Sequence, residues 1–297
     1  MAQPNAMARV SYISKQAEDR KAAEAHFRAG GRHLQKGEWQ RALEAYGRGV
    51  KLDPRNADAY YGMGVANGAT GNWKGVVDCC RTAVQINPLH AKAWNDQGVA
   101  LLMRGDSLNS ITCLKKAIEL KPDYLNAWHN LGAAHFNRDD LDAAAAAYGK
   151  ALEIEEKHAR SWNGLGACYY QKGDFEAAVH CFERLLAIDK GNPEFWVNAG
   201  VARAANGELD KAAECCMKAL GLDPKYAKAH NELGVAYARK GDYENAIDCH
   251  KKAIALSPRA AKFYRDLSVA YELKGEWLLA RACEMKIAEL EGRPAVF

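Results

Sequence analysis

The chain has 297 residues, 48% hydrophobic and 26% charged, with 41 Lys and Arg against 37 Asp and Glu for a formal net charge of +4. That balance excludes both a disordered chain and a polybasic one. No run approaches the roughly 18 apolar residues of a membrane span, and the N-terminus carries no signal-peptide core.

Residues 1–22 read as an N-terminal extension, helical or mobile, in which Met7–Lys15 adds a turn to the first helix or stays free. From Ala23 onward the rare residues fall on a 34-residue ruler. Pro54, Pro88, Pro122, Pro224 and Pro258 are separated by whole periods, as are Trp94, Trp128, Trp162 and Trp196. Trp39, Trp73 and Trp277 share a second grid, and Gly30, Gly64, Gly98, Gly132, Gly166, Gly200 and Gly234 a third. The ruler divides the chain into eight units, 23–56, 57–90, 91–124, 125–158, 159–192, 193–226, 227–260 and 261–294, and leaves a tail at 295–297. One continuous array without a conventional domain boundary is expected.

Within each unit, positions 4, 7, 8 and 11 are apolar or small, the spacing of one helix face. Positions 20, 24 and 27 do the same for a second helix, as in Ala178, Phe182 and Leu185. Between them lies a glycine, an acidic or amide residue and a large apolar one, as in Gly173-Asp174-Phe175. The glycine suits a left-handed C-terminal position and the acid suits the next helix start. Proline at position 32 stops the second helix. Where Glu156 and Lys190 replace it, longer second helices are expected, with Pro193 restarting the next unit. No strand alternation occurs, so the predicted class is all-α.

The units resemble tetratricopeptide repeats, most plainly Ala227-Lys-Ala-His-Asn-Glu-Leu-Gly-Val-Ala-Tyr followed by Gly241-Asp-Tyr-Glu-Asn-Ala-Ile and Ala253 to Pro258. The resemblance covers residues 23–294 and implies antiparallel helix pairs stacked into a right-handed superhelical solenoid with a concave groove for peptides or helices. The position-8 glycines are expected to allow close helix approach within each pair, at a cost of roughly 0.5–1 kcal/mol each in propensity. In the last unit Ser268 replaces the glycine and Glu284 an apolar residue, the polar drift a capping repeat needs.

Several chemistries are set aside on spacing. Gly62-Met-Gly64-Val-Ala-Asn-Gly68 imitates a dinucleotide fingerprint, but no strand precedes it and Gly64 belongs to the repeat grid, so no cofactor is expected. Cys79, Cys113, Cys181, Cys215, Cys249 and Cys283 all occupy position 23, beside Cys80, Cys216 and Cys168. They read as half-buried packing residues of a reducing, cytoplasmic protein, not as metal ligands or disulfides. The histidines show no ligand spacing, and no acid, serine or histidine leaves the grid as a catalytic constellation does.

The candidate binding surface is the other face of the first helices, at positions 2, 5, 9, 12 and 13. It offers Val65, Val99, Val201 and Val235 at position 9, with Leu102, Phe136 and Tyr170 at position 12. Asn95, Asn163 and Asn231 stand at position 5, and Asn130 and Asn198 at position 6, where amides can bond the backbone of an extended peptide. By resemblance, this ladder is similar to that of the repeat arm of O-linked N-acetylglucosamine transferases. Arg239 and Arg265 are among the flanking basic residues. Family members that capture chaperone C-termini carry Lys at position 5 and Asn at position 9; here the only Lys or Arg at position 5 is Arg265, with Val269 at position 9, so that ligand is disfavoured.

The positive excess lies in residues 1–56, with 11 Lys and Arg against 6 Asp and Glu, and lacks a polybasic block, so no nucleic-acid partner is indicated. The expected function is a non-catalytic adaptor or scaffold holding a protein segment in the groove. The alternatives are a self-assembling structural protein or the targeting subunit of a larger enzyme, and the apolar tail Pro294–Phe297 is placed to cover the last helix or enter another molecule's groove.

Overall fold

A computed structural model describes the backbone of residues 4–292 and the side chains from Lys15 to Gly292; the tail expectation falls outside these. Among the described residues the chain is helical throughout, and the helices group into two compact units, residues 1–155 and 156–297.

In the first unit, α1 (Pro4–Gln35), α2 (Trp39–Leu52), α3 (Ala57–Ala69) and α4 (Trp73–Ile86) are followed by α5 (Ala91–Met103), α6 (Ser107–Leu120), α7 (Leu125–Phe136) and α8 (Leu141–Ile154). The second comprises α9 (Ala159–Gln171), α10 (Phe175–Ile188), α11 (Pro193–Ala205), α12 (Leu209–Leu222), α13 (Ala227–Arg239), α14 (Tyr243–Leu256), α15 (Ala261–Lys274) and α16 (Trp277–Leu290). Within each unit, consecutive helices pair as hairpins, and the second helix of one hairpin packs on the first helix of the next. The extension is resolved as helix, since α1 runs unbroken from Pro4.

The hairpin turns follow from local chemistry. Gly173 and its equivalents adopt left-handed φ values, 80° at Gly173 itself, and Asp139 takes the same conformation at φ 60° in the one turn without glycine. Asp174 then caps α10 by accepting from the Ala177 N–H at 3.1 Å, and Asn72, Asp106, Asp140 and Asp242 cap their helices in the same way. The longer Glu38, Glu208 and Glu276 make no such bond.

At the other end of each hairpin the tryptophan grid acquires a purpose. The indole N–H of Trp94 donates to the Pro88 carbonyl at 2.9 Å, and Trp128 donates to that of Pro122 at 2.8 Å. Trp162 and Trp196 do the same to Glu156 and Lys190, at 2.7 and 2.9 Å. The expected lengthening of helices lacking proline does not occur. Both α8 and α10 have 14 residues, as α4 and α6 do. The chain turns extended at Glu155 and Asp189, and the indole at the next helix holds the position-32 carbonyl whatever residue carries it.

The position-8 glycines face the side chain at position 24 of their own hairpin. A Cβ at Gly166 would lie 2.9 Å from the Phe182 ring, and one at Gly234 2.7 Å from the His250 ring. The close approach therefore seats a buried ring at Tyr46, Tyr148, Phe182 and His250, and a smaller side chain at Cys80, Leu114 and Cys216. Within each compact unit the core runs on from one hairpin to the next, as where Val77, Cys80 and Val84 of α4 pack with Ala93, Ala100 and Leu101 of α5. Each fully buried Val, Leu or Phe contributes roughly 1.5–3 kcal/mol.

Candidate functional site

The first helices of successive hairpins lie beside one another, α3 against α5 and α5 against α7 in the first unit, α11 against α13 and α13 against α15 in the second. Their shared face is where the asparagines sit, and those asparagines bond to one another. Asn130 donates to Asn95 Oδ1 and Asn198 to Asn163 Oδ1, both at 3.0 Å. Asn231 donates to Asp266 Oδ2 at 2.6 Å, and Tyr61 bonds to Asp96. Every one of these links joins position 5 of one repeat to position 6 of the next.

Each link is extended locally. Asn95 also donates to Asp96 Oδ1 at 2.8 Å, so Tyr61, Asp96, Asn95 and Asn130 form one relay across three helices. Burial pushes the Asp96 carboxyl above its ordinary range, against the bonds from Asn95 and Tyr61 that favour its charged form. In the second unit Lys228 reaches Asn198 Oδ1 at 3.4 Å and Lys262 pairs with Glu232 at 2.6 Å. His250, 1% exposed, lies 3.0 Å from Asn231 Oδ1. Tyr61, Asp96, Asp266 and His250 do not stand out in the sequence as site residues; a spacing of one period plus one residue is the signal that links the first three to the asparagine pattern.

The remaining sequence candidates divide by exposure. Asn95 and Asn231 are buried, at 4% and 0%, with their amides engaged by neighbours. Asn130, Asn163 and Asn198 are half-buried in the same relays. Leu102 packs against Ile111 and Leu131, Tyr170 against the core of the second unit and the Phe175 ring, and Val201 against the cluster of Val197, Ala219 and Ala229. Val65 is 36% exposed; Val99, Phe136 and Val235 are half-buried. Arg239 is exposed and donates to the Ala204 carbonyl, and exposed Arg265 pairs with Glu291.

The cysteines are more buried than expected: all but Cys79 are buried, and none is bonded to another. Burial raises Cys168 and Cys249 to about 11 and Cys181 and Cys216 to about 12, which suppresses the thiolate that nucleophilic or redox chemistry needs. Cys215 is raised as well by burial, although Arg203 stands 3.1 Å from its sulfur. Among the described residues no group of His, Cys, Asp or Glu could hold a metal ion, and no helix is long and apolar enough to cross a membrane.

Hairpins of this length, seam and turn chemistry define a tetratricopeptide-repeat protein. A general tetratricopeptide-repeat family matches residues 30–71, and the family described as the cilia and flagella-associated protein 70 C-terminal domain matches residues 95–283. The chain belongs to that second family. No curated protein sequence matches it. Among solved structures, the APC/C hetero-tetramer Cut9–Hcn1 is similar over 86% of this chain and 50% of that one, at 20% identity and a TM-score of 0.63. PilF of Pseudomonas aeruginosa is similar over 71% of this chain and 96% of that one, at 18% identity and a TM-score of 0.61. YrrB, a tetratricopeptide-repeat protein described as having an unusual peptide-binding site, is similar over 67% of this chain and 99% of that one, at 22% identity and a TM-score of 0.55. At these identities the likeness is one of fold. The fold is that of a protein–protein interaction repeat.

Proposed function

We propose that the protein is a non-catalytic, cytoplasmic adaptor or scaffold that holds a peptide segment or helix of a partner protein against the first helices of its hairpins. The observation that carries this reading is the apolar row formed by Val65, Val99 and Phe136 across the neighbouring helices α3, α5 and α7. These side chains keep partial exposure on a face whose amides are tied together beneath it. Burying that row on association is favourable at about 25 cal/mol per Å² of apolar surface, before the costs of ordering the partner. In the second unit Val235 and Arg239 offer a smaller apolar and basic counterpart on α13. YrrB supplies a precedent for peptide binding within this fold.

The family's namesake is described as associated with cilia and flagella, which sets where the search for partners begins. The test is affinity purification with quantitative mass spectrometry on the full chain, comparing wild type with Phe136→Ala and with Val65→Asp. A partner recovered by wild type and lost by both variants, with unchanged melting temperatures, supports the reading. Recovery undiminished in both variants removes the first-helix face as the binding surface.

A further inference from the structure

Within each compact unit, the second helix of a hairpin that is followed by another presents a stripe at positions 17, 21, 24 and 28 to that next hairpin. In α4 this stripe is Trp73, Val77, Cys80 and Val84; the last three are 1%, 0% and 5% exposed beneath α5. In α16 the same register holds Trp277, Arg281, Glu284 and Ala288. Trp277 is 68% exposed. The neighbouring Leu278 is 86% exposed and occupies a position that is polar in six of the other repeats and an exposed leucine, Leu108, in the seventh. Met285 is 51% exposed on the same helix.

The stripe of α16 is not polar throughout, because it keeps the tryptophan. Its two charges are opposite in sign, three residues apart and exposed, and neither is paired with another described residue. The stripe is also palindromic. Antiparallel pairing of two α16 helices about a twofold axis midway between Ala282 and Cys283 sets Arg281 opposite Glu284 of the other copy, twice over. The same axis sets the large Trp277 opposite the small Ala288. One-copy burial would strand the two charges, but the twofold satisfies both with a single interface.

We propose that the exposed stripe of α16 is the interface of a twofold homodimer, with Trp277 as its apolar anchor and the reciprocal Arg281–Glu284 pairs fixing its register. A single helix pair belongs to the small, reversible class of interface, in which charge complementarity sets specificity.

The experiment is sedimentation velocity on the full chain over a concentration series, with circular dichroism to confirm folding. Wild type is expected to show a monomer–dimer equilibrium. Arg281→Glu and Glu284→Arg are each expected to weaken it by about tenfold or more, because each juxtaposes like charges. Mixing these two variants is expected to restore a dimer, since one chain then presents two glutamates and the other two arginines. Trp277→Ala weakens every combination. The proposal is overturned by a monomeric wild type, by a dimer indifferent to both reversals, or by a mixture that stays monomeric. Growth beyond dimers would establish end-to-end stacking in its place. Dimers appearing only after deletion of residues 293–297 would overturn it for the full chain and establish that those residues cover the stripe.

Discussion

His250 and Asn231 meet in the interior of the second unit, imidazole Nδ1 to amide oxygen, at 3.0 Å. Asn231 gives an amide hydrogen to Asp266, so its oxygen accepts and the imidazole proton sits on Nδ1. The pair ties a second helix to the asparagine seam, and it holds a titratable ring at the bottom of the hairpin.

Burial depresses His250 to about 4, Glu232 opposing the shift and Lys262 adding to it. The unfolded chain binds the proton near pH 6.5 and the native chain does not, so stability is complete above pH 6.5 and falls toward pH 4. The loss across that window reaches about 3 kcal/mol. Thermal melts of wild type and His250→Phe between pH 7.5 and 4.5 check this. The variant, carrying the ring type found at Phe182, is expected to lose the part of the acid slope that belongs to His250. Parallel slopes in the two proteins would contradict the assignment.

Gly166→Leu is expected to lower the melting temperature strongly, because even a Cβ there comes within 2.9 Å of the Phe182 ring. The overpacking cost is about 1–3 kcal/mol or more. Gly166→Ala combined with Phe182→Leu should recover most of the loss incurred by Gly166→Ala alone; failure to recover would show that the ring is not the obstacle.

The Asn163–Asn198 bond joins two hairpins without any ligand, so its contribution should be measurable in the isolated chain. Each alanine substitution is expected to cost about 1 kcal/mol, with a coupling of at least about 0.5 kcal/mol in the double-mutant cycle. Additive single effects would mean that the two amides act independently.

Alkylation of the native chain, read by mass spectrometry, is expected to modify Cys79 first. The other eight thiols should react only on unfolding, because all are buried. Early labelling of Cys215 beside Arg203 would show that the arginine activates it.

Much of the fold is legible in the sequence because its determinants are local and periodic: glycine at the turn, aspartate at the cap, an apolar stripe every third or fourth residue. The indole bonds are not, since a tryptophan grid states a period without stating that Nε1 reaches a carbonyl six residues earlier. Glu156 and Lys190 mislead for that reason. The asparagines are legible as a set but not as pairs. Surface amides and interlocked ones have the same spacing, and only the neighbouring backbone decides which partner an amide reaches. Asn231 and Asn95 are buried and bonded across hairpins, and so act as part of the scaffold.

The seam between position 5 and the next position 6 carries a rule for growth. Asn at the first place pairs with either an amide or a carboxylate at the second, as Asn130 and Asp266 show. Residues 91–124 contain both halves, Asn95 and Asp96, so a gene segment encoding that hairpin could be copied in tandem and each copy would fasten to the last. Residues 159–192 carry Asn163 but Gly164, and can hold a successor without being held by an asparagine before them. At the four junctions that carry such a link, the order of hairpins is thus constrained like words in a sentence, by what each one permits to come after it.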